Sequence, residues 1–182
     1  MASRKYTGDY RVEPHLCPNG KIKDVPIYCG DYFRFARAPE KVRRSLWTAV
    51  LFHLLLSVTL LLPLFFSCSY AQQFYVVIPM LVAMIPAVLL WAGLWRLWRV
   101  KAPVTREYRD KSAGRIEWCS TFQLVVSAVS VVSSVVFVVL CEKTLLDWLF
   151  SGLSVLRLLL SLLIYFRRGT FEMVLSEEKP AS

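Results

Sequence analysis

Charged residues are missing from long stretches of this sequence. Between Ser45 and Trp95 there is no Asp, Glu, Lys or Arg. A soluble domain carries about 25% charged residues spread along its length, whereas this chain has 19%, and they are clustered. About 20 apolar residues are enough to cross the hydrocarbon core of a bilayer. The uncharged stretch therefore argues against a soluble domain and favours segments surrounded by lipid.

Other absences narrow the range of functions. The chain has no Cys-x-x-Cys pair, which argues against a membrane thiol oxidase. It has no catalytic motif, cofactor-binding loop or tight set of metal ligands, so we predict no enzyme activity, no cofactor and no metal site. The first 45 residues are polar, so we predict no cleaved signal peptide.

Hydropathy predicts an all-α membrane protein, a four-helix transmembrane bundle. The four predicted spans have 21 to 24 residues each, which is long enough to cross a bilayer with some tilt. The connections at 67–73 and 142–144 are short, so we expect two antiparallel helical hairpins. The predicted spans are residues 46–66, 74–95, 118–141 and 145–166.

The positions of Lys and Arg predict the orientation. Segment 1–45 has ten, segment 96–117 has seven and the tail 167–182 has three, whereas the opposite side has only Lys143. Cytoplasmic loops are rich in Lys and Arg, so we predict a cell-membrane protein with both termini in the cytoplasm. The net charge of +9 then needs no nucleic-acid partner, and the predicted partner is the bilayer with its anionic headgroups. The aromatic anchors expected at the boundaries are Trp47, Trp95, Trp98 and Trp118 inside and Tyr70, Tyr75 and Trp148 outside.

The N-terminal segment is predicted to hold a small cytoplasmic β-hairpin. Its turn is Pro-Asn-Gly at 18–20, with apolar residues alternating on either side. The sequence Tyr-Thr-Gly-Asp-Tyr at 6–10 returns as Tyr-Cys-Gly-Asp-Tyr at 28–32. We interpret the repeat as turn chemistry rather than a partner surface. The alternating run 171–175 is a candidate third strand for the hairpin, which alone is marginal in water.

The middle cytoplasmic loop is predicted to contain a short helix. Pro103 stops the preceding helix and Thr105 can cap the next one. We interpret it as a basic helix at the membrane surface rather than a binding site.

Two stretches carry a resemblance to known proteins. They are Tyr28-x-Gly30-Asp31-Tyr32-Phe33 ahead of the first span and Glu107-Tyr108-x5-Gly114-Arg115 ahead of the third. With this layout the chain resembles a group of uncharacterised small four-span membrane proteins from Gram-positive gut bacteria. The resemblance covers most of the chain. It implies a membrane class and localisation but no activity.

Two of the five cysteines are candidates for an outer disulfide. Cys68 follows the first span and Cys141 ends the third. They could pair if their helices are neighbours and the exterior is oxidising. The alternative is that each is a buried small hydrophobic residue.

Arg157 is the most informative residue because a charge inside a span costs about 2.5–3.5 kcal/mol on insertion scales. His53 and Gln123 lie at similar depths in their own spans, so we predict a buried polar cluster of Arg157, His53 and Gln123. None is acidic, and the one acid within a span, Asp147, lies ten residues from Arg157. Arg157 therefore either receives an anion or hydrogen-bonds helix carbonyls and headgroups. We favour the second.

Three classes of function follow. The leading one is a non-enzymatic accessory, scaffold or regulatory component of the membrane. The alternative is a small homodimeric transporter or a lipid- or anion-binding protein that uses Arg157, since four helices are too few to enclose a path. A lipid enzyme would need clustered metal ligands, but Glu107, Asp110 and Glu117 are scattered among basic residues.

Overall fold

The computed structural model describes residues 4–16, 22–66, 69–100, 103–141 and 144–176. The strands are β1 Tyr10–Leu16, β2 Ile22–Tyr28, β3 Tyr32–Phe35, β4 Val104–Thr105 and β5 Met173–Ser176. The helices are α1 Pro39–Leu61, α2 Ser69–Gln72, α3 Phe74–Trp98, α4 Arg106–Arg109, α5 Arg115–Leu140 and α6 Leu145–Arg167.

Four of these helices, α1, α3, α5 and α6, are long and apolar enough to cross a membrane. The prediction of four long apolar helices is confirmed. Helices α1 and α5 each pack against both α3 and α6, so the four helices close into a ring. The strands lie at one end of this ring, which we call the sheet end. The short helix α2 lies at the other, which we call the far end.

The helices extend beyond the predicted spans at the sheet end. Helix α1 begins at Pro39, a residue that fits the first turn of a helix because its missing N–H is not needed there. Thr105 caps α4 through its hydroxyl, as predicted, by accepting from the Tyr108 N–H at 3.4 Å. The predicted short helix, however, does not end in the loop. A π-helical turn, Asp110–Gly114, joins it to α5. The hydropathy pattern does not predict these extensions, because it detects only the apolar part of each helix.

The predicted N-terminal β-hairpin is confirmed. Strands β1 and β2 pair antiparallel, with Tyr10 opposite Tyr28 and Val12 opposite Pro26. The side chains at 11–14 and 22–27 are all exposed. The predicted turn at 18–20 lies outside the described residues.

The C-terminal strand forms, but not with the predicted partner. Strand β5 pairs with β3, which also pairs with β4, in a three-stranded antiparallel sheet of order β4-β3-β5. The expectation that it would extend the hairpin is wrong. Strand β3 leads into α1 and β5 follows α6, and these two helices are neighbours. The helix packing therefore brings the two strands together.

Three apolar clusters fill the interior from one end of the ring to the other. The sheet-end cluster joins Phe33 and Met173 of the sheet to Leu94 and Ile116 of the helices. The middle cluster includes Leu56, Ala83 and Leu160. The far-end cluster is made of Tyr70, Val76, Phe137 and Phe150.

Helix α5 buries many of its polar side chains and exposes apolar ones. Its buried face carries amide and hydroxyl side chains, and its exposed face carries valines. The buried residues include Gln123, Ser127, Ser130 and Ser134, and the exposed ones include Val125, Val129, Val132 and Val136. A water-soluble helix has the opposite arrangement.

Candidate functional site

The candidate site is the set of polar side chains inside the helical ring. Arg157, His53 and Gln123 are each only 1% exposed. They come from α6, α1 and α5. Each has one polar atom that lacks a hydrogen-bond partner among the described residues: Nε of Arg157, Nδ1 of His53 and Oε1 of Gln123. Such atoms are costly in an apolar interior.

Arg157 reaches towards the far end of the ring. Its guanidinium donates to the backbone carbonyl of Thr59 in α1 at 2.8 Å. None of the ion pairs among the described residues involves Arg157. The guanidinium is thus a buried cation bound to a carbonyl, without a carboxylate partner in the described part of the chain.

A chain of side-chain hydrogen bonds connects Gln123 to the Arg157 backbone. Ser161 donates to the Arg157 carbonyl at 2.8 Å, and its oxygen lies 2.9 Å from the Ser127 hydroxyl. Gln123 Nε2 donates to Ser127 Oγ at 3.5 Å. With Ser161 donating to the carbonyl, Ser127 must donate to Ser161, so all three donors point towards Arg157. The Ser127–Ser161 bond crosses between α5 and α6 and ties the two helices together, while the other two bonds each lie within one helix.

His53 belongs to a different contact. Its Nε2 lies 2.8 Å from the carbonyl of Ala87 in α3, and its ring lies 5.0 Å from that of Trp91. Trp91 in turn donates to Ser57 Oγ at 3.1 Å. In the described residues no hydrogen bond joins His53 to Arg157 or Gln123. The ring of helices therefore buries all three predicted residues, but the hydrogen bonds link only two of them.

Tyr70 and Asp147 also lie in the interior of the ring, although the sequence did not predict either of them to be part of a buried polar cluster. Tyr70 was expected at the outer boundary as an aromatic anchor, but only 2% of it is exposed. Its hydroxyl lies 2.7 Å from Ser134 Oγ in α5. Asp147 is fully buried and caps α6 together with Thr144. The Thr-x-x-Asp spacing at 144–147 is a capping signal that could have identified this role.

The structure describes one of the two cysteines of the predicted outer disulfide. Cys141 is half-buried, and its Sγ lies 3.6 Å from the Tyr75 hydroxyl. Cys68 lies outside the described residues, so the pairing stays a prediction.

At the sheet end, the start of the chain is held on α4 and the π-helical turn. The Lys5 ammonium and the Tyr6 hydroxyl both donate to Asp110, at 3.1 and 3.0 Å. Tyr10 donates to Glu107 at 3.3 Å. The Asp110 hydrogen bond and charge raise the pKa of Lys5. Burial, with the hydrogen bond to Asp110, raises the pKa of Tyr6. These contacts fix the base of the β-hairpin.

The repeated Tyr-x-Gly-Asp-Tyr segments meet at this same base. Tyr28 packs edge-on against Tyr10 and Tyr32, with ring centroids 5.2 and 5.1 Å away. The Cys29 N–H donates to the Asp9 carbonyl at 2.8 Å. The two copies therefore make a structural junction.

Metal ligands do not converge in the part of the chain that the structure describes: no three His, Cys, Asp or Glu side chains are close enough to hold an ion. Comparisons with protein-family models, with curated proteins and with solved structures each give no match. The resemblance to small membrane proteins of Gram-positive gut bacteria therefore stays a prediction.

Proposed function

We propose that this chain is a multi-pass protein of the cell membrane whose helices form two antiparallel hairpins with both termini in the cytoplasm. The support is the outward-facing apolar surface of the long helices, such as Val129 and Val132, together with twenty Lys and Arg on one side against Lys143 on the other. Both features are those of a bundle in lipid with basic cytoplasmic flanks.

A pair of fusions tests this orientation. Green fluorescent protein placed after residue 182 should fluoresce, because it folds in the cytoplasm, and alkaline phosphatase at the same position should be inactive. An active phosphatase fusion would overturn the orientation. Recovery of the chain in the soluble fraction would overturn the membrane placement itself.

Within the membrane, we propose that the chain acts as a non-enzymatic accessory or scaffold component that presents the β1–β2 hairpin to a partner protein. The observation that carries this proposal is the exposure of the hairpin. Val12 is 62% exposed and Ile22 is 71% exposed. Both lie on the same face of the hairpin, because residues 12 and 26 are paired and side chains alternate along each strand. Val25 and Ile27 on the opposite face are less exposed, at 37% and 41%, so the face of Val12 and Ile22 is the better candidate for contact with a partner.

Site-specific photocrosslinking in intact cells tests the scaffold proposal. A photoreactive phenylalanine analogue is placed at Val12 or Ile22, and at Arg11 or Lys23 on the opposite face as matched controls. We expect a discrete adduct from the first pair and none from the second. The adduct made from position 12 should disappear when Ile22→Asp is added. Equal labelling from both faces, or no adduct from either, would overturn the proposal.

A second candidate function uses Arg157, as a small homodimeric transporter or a lipid- or anion-binding protein. The specific observation in its favour is the buried guanidinium, which has an unpaired Nε and no carboxylate partner among the described residues. A buried cation of this kind attracts an anion because water does not screen it.

Replacing Arg157 by Leu and, separately, by Lys tests this second candidate. If an anion binds, native mass spectrometry of the wild type should show an anionic adduct that Arg157→Leu loses and Arg157→Lys partly keeps. Light scattering should give the mass of a dimer. If Arg157 is only a structural residue, Arg157→Leu should be as stable or more stable, and the adduct spectrum should not change.

A further inference from the structure

A groove at the sheet end lies between the N-terminal segment, α1 and α3. It has a volume of about 500 Å³. Val42, Leu46 and Leu97 form its apolar floor, and Arg43 and Trp98 lie at its edge. Trp98 packs edge-on against Trp47 with ring centroids 4.5 Å apart, and both rings are exposed. Paired exposed tryptophans of this kind are typical of the boundary between membrane and water.

A second depression of about 440 Å³ adjoins the groove. The two share Phe35 and Pro39 in their walls, and the second one adds Arg34 and Arg37. Together they form a surface with an apolar part towards the helices and a basic part towards the sheet. We call this surface the basic groove.

The arginines of the basic groove are uncompensated. Arg34, Arg37 and Arg43 are exposed, and no acidic residue lines either depression. None of the three takes part in an ion pair with another residue that the structure describes. Their positive charge is therefore available to an external anion.

In a third cavity at the sheet end, acidic residues accompany the basic ones. It has a volume of about 410 Å³, and its walls carry Arg109 and Arg168 together with Asp110, Glu117 and Glu172. Arg109 forms an ion pair with Asp110 at 3.0 Å. The surplus of positive charge in the basic groove is thus a local feature and is not shared by every basic cavity at this end.

We propose that the basic groove binds one anionic phospholipid from the cytoplasmic leaflet. The phosphate contacts the guanidinium groups of Arg37 and Arg43, which offer several donors to a phosphate, and an acyl chain covers the floor at Val42, Leu46 and Leu97. Arg34 extends the site towards a second charge on the headgroup. This inference rests on the proposed membrane placement, because the groove must lie at the cytoplasmic boundary for a lipid to reach it.

The test uses the full chain in detergent and in nanodiscs. Lipid binding is measured by native mass spectrometry and by thermal stabilisation with phosphatidylglycerol, phosphatidylcholine and inorganic phosphate as separate probes. The groove variant is Arg37→Gln with Arg43→Gln. The matched control is Arg11→Gln with Lys23→Gln, which removes the same charge from the β1–β2 hairpin, outside both depressions.

The wild type should prefer phosphatidylglycerol to phosphatidylcholine, and inorganic phosphate should not compete at equal concentration. The groove variant should lose about thirtyfold in phosphatidylglycerol affinity, the effect expected for two basic residues at an anionic surface. The control variant should lose less than about threefold on the same reasoning, since its charges lie on the β1–β2 hairpin and do not line the site.

Three results would overturn the inference. Equal losses in both variants would mean general attraction between charges. Full competition by inorganic phosphate would mean an ion site without a lipid. An unchanged phosphatidylglycerol preference in the groove variant would place the lipid elsewhere. Recovery of the chain as a soluble protein is a different failure, which removes the proposed membrane placement instead.

Discussion

The backbone N–H of Tyr70 donates to the carboxylate of Asp147 at 2.9 Å. The other carboxylate oxygen accepts from the N–H and the hydroxyl of Thr144, at 3.0 and 2.8 Å. Asp147, the one acid within the predicted spans, is therefore used to fix α2 against the start of α6. This explains why Arg157 is bound to a carbonyl and not to an acid.

Replacing Asp147 by Ala should lower the free energy of unfolding by about 2 kcal/mol, because the buried Tyr70 N–H and the two donors of Thr144 then lose a charged acceptor. The control is Thr144→Val, which removes the capping hydroxyl and should cost about 1 kcal/mol. Unfolding in mixed detergent micelles measures both. A smaller loss for Asp147→Ala than for Thr144→Val would contradict the assigned role of the carboxylate.

Two helix glycines should respond differently to the same change. A Cβ on Gly93 in α3 would lie 2.9 Å from Ile116 Cγ1, a buried atom in α5, whereas a Cβ on Gly152 would meet nothing within 4 Å. Gly93→Ala should therefore cost about 1–3 kcal/mol through overpacking. Gly152→Ala should gain up to about 1 kcal/mol of helix propensity.

Thermal unfolding of both alanine variants under one set of conditions checks this contrast. If Gly93→Ala proves as stable as the wild type, then α3 and α5 do not approach each other as closely as described.

The hydroxyl of Tyr6 should titrate above the ordinary tyrosine pKa of about 10, because burial and the hydrogen bond to Asp110 raise its pKa. A raised pKa means that the stabilising contact is fully present below the ordinary value and is lost as the pH rises through the folded value. The absorbance difference at high pH between the wild type and Tyr6→Phe gives this titration.

Asp110→Asn should move the Tyr6 midpoint down towards the ordinary value, since the acceptor charge is removed. Asp31→Asn serves as the control, because it also removes a carboxylate, but one that does not contribute to the raised pKa of Tyr6. A Tyr6 midpoint at or below the ordinary value in the wild type would show that the N-terminal segment is not held on Asp110.

That Arg157, His53 and Gln123 are buried could be predicted from the sequence, but the helix that each one contacts could not. Counting along the predicted spans put Arg157 and His53 at similar depth, and both are buried. Their polar atoms nevertheless contact different helices, α1 for Arg157 and α3 for His53. Hydropathy reports how far a residue lies along a span. It does not report how the helix is rotated or which helix stands beside it.

The lack of information about helix rotation and helix neighbours also explains the other differences between the predictions and the structure. The alternation in residues 171–175 predicts a strand, and β5 forms, but the choice of β3 as its partner depends on α1 and α6 being neighbours. Tyr70 is an aromatic residue of the kind that anchors a span at the membrane boundary. In the structure, however, α2 places it inside the ring of helices, where it is buried. In α5, by contrast, the packing face can be found from the sequence itself. Small polar residues at helical spacing favour close contact in lipid, and Ser127, Ser130 and Ser134, which have this spacing, are buried.

The central claim is that the valine face of α5 is in contact with lipid while its serine face is inside the ring. Spin labels at Val125, Val129 and Val132, with one at Ser130 as the control, measure this directly through collision with oxygen and with a water-soluble nickel complex. At the three valines we expect strong oxygen collision and weak nickel collision, and at Ser130 weak collision with both. Strong nickel collision at Val129 and Val132 would mean that water covers this face, and the membrane account would be wrong.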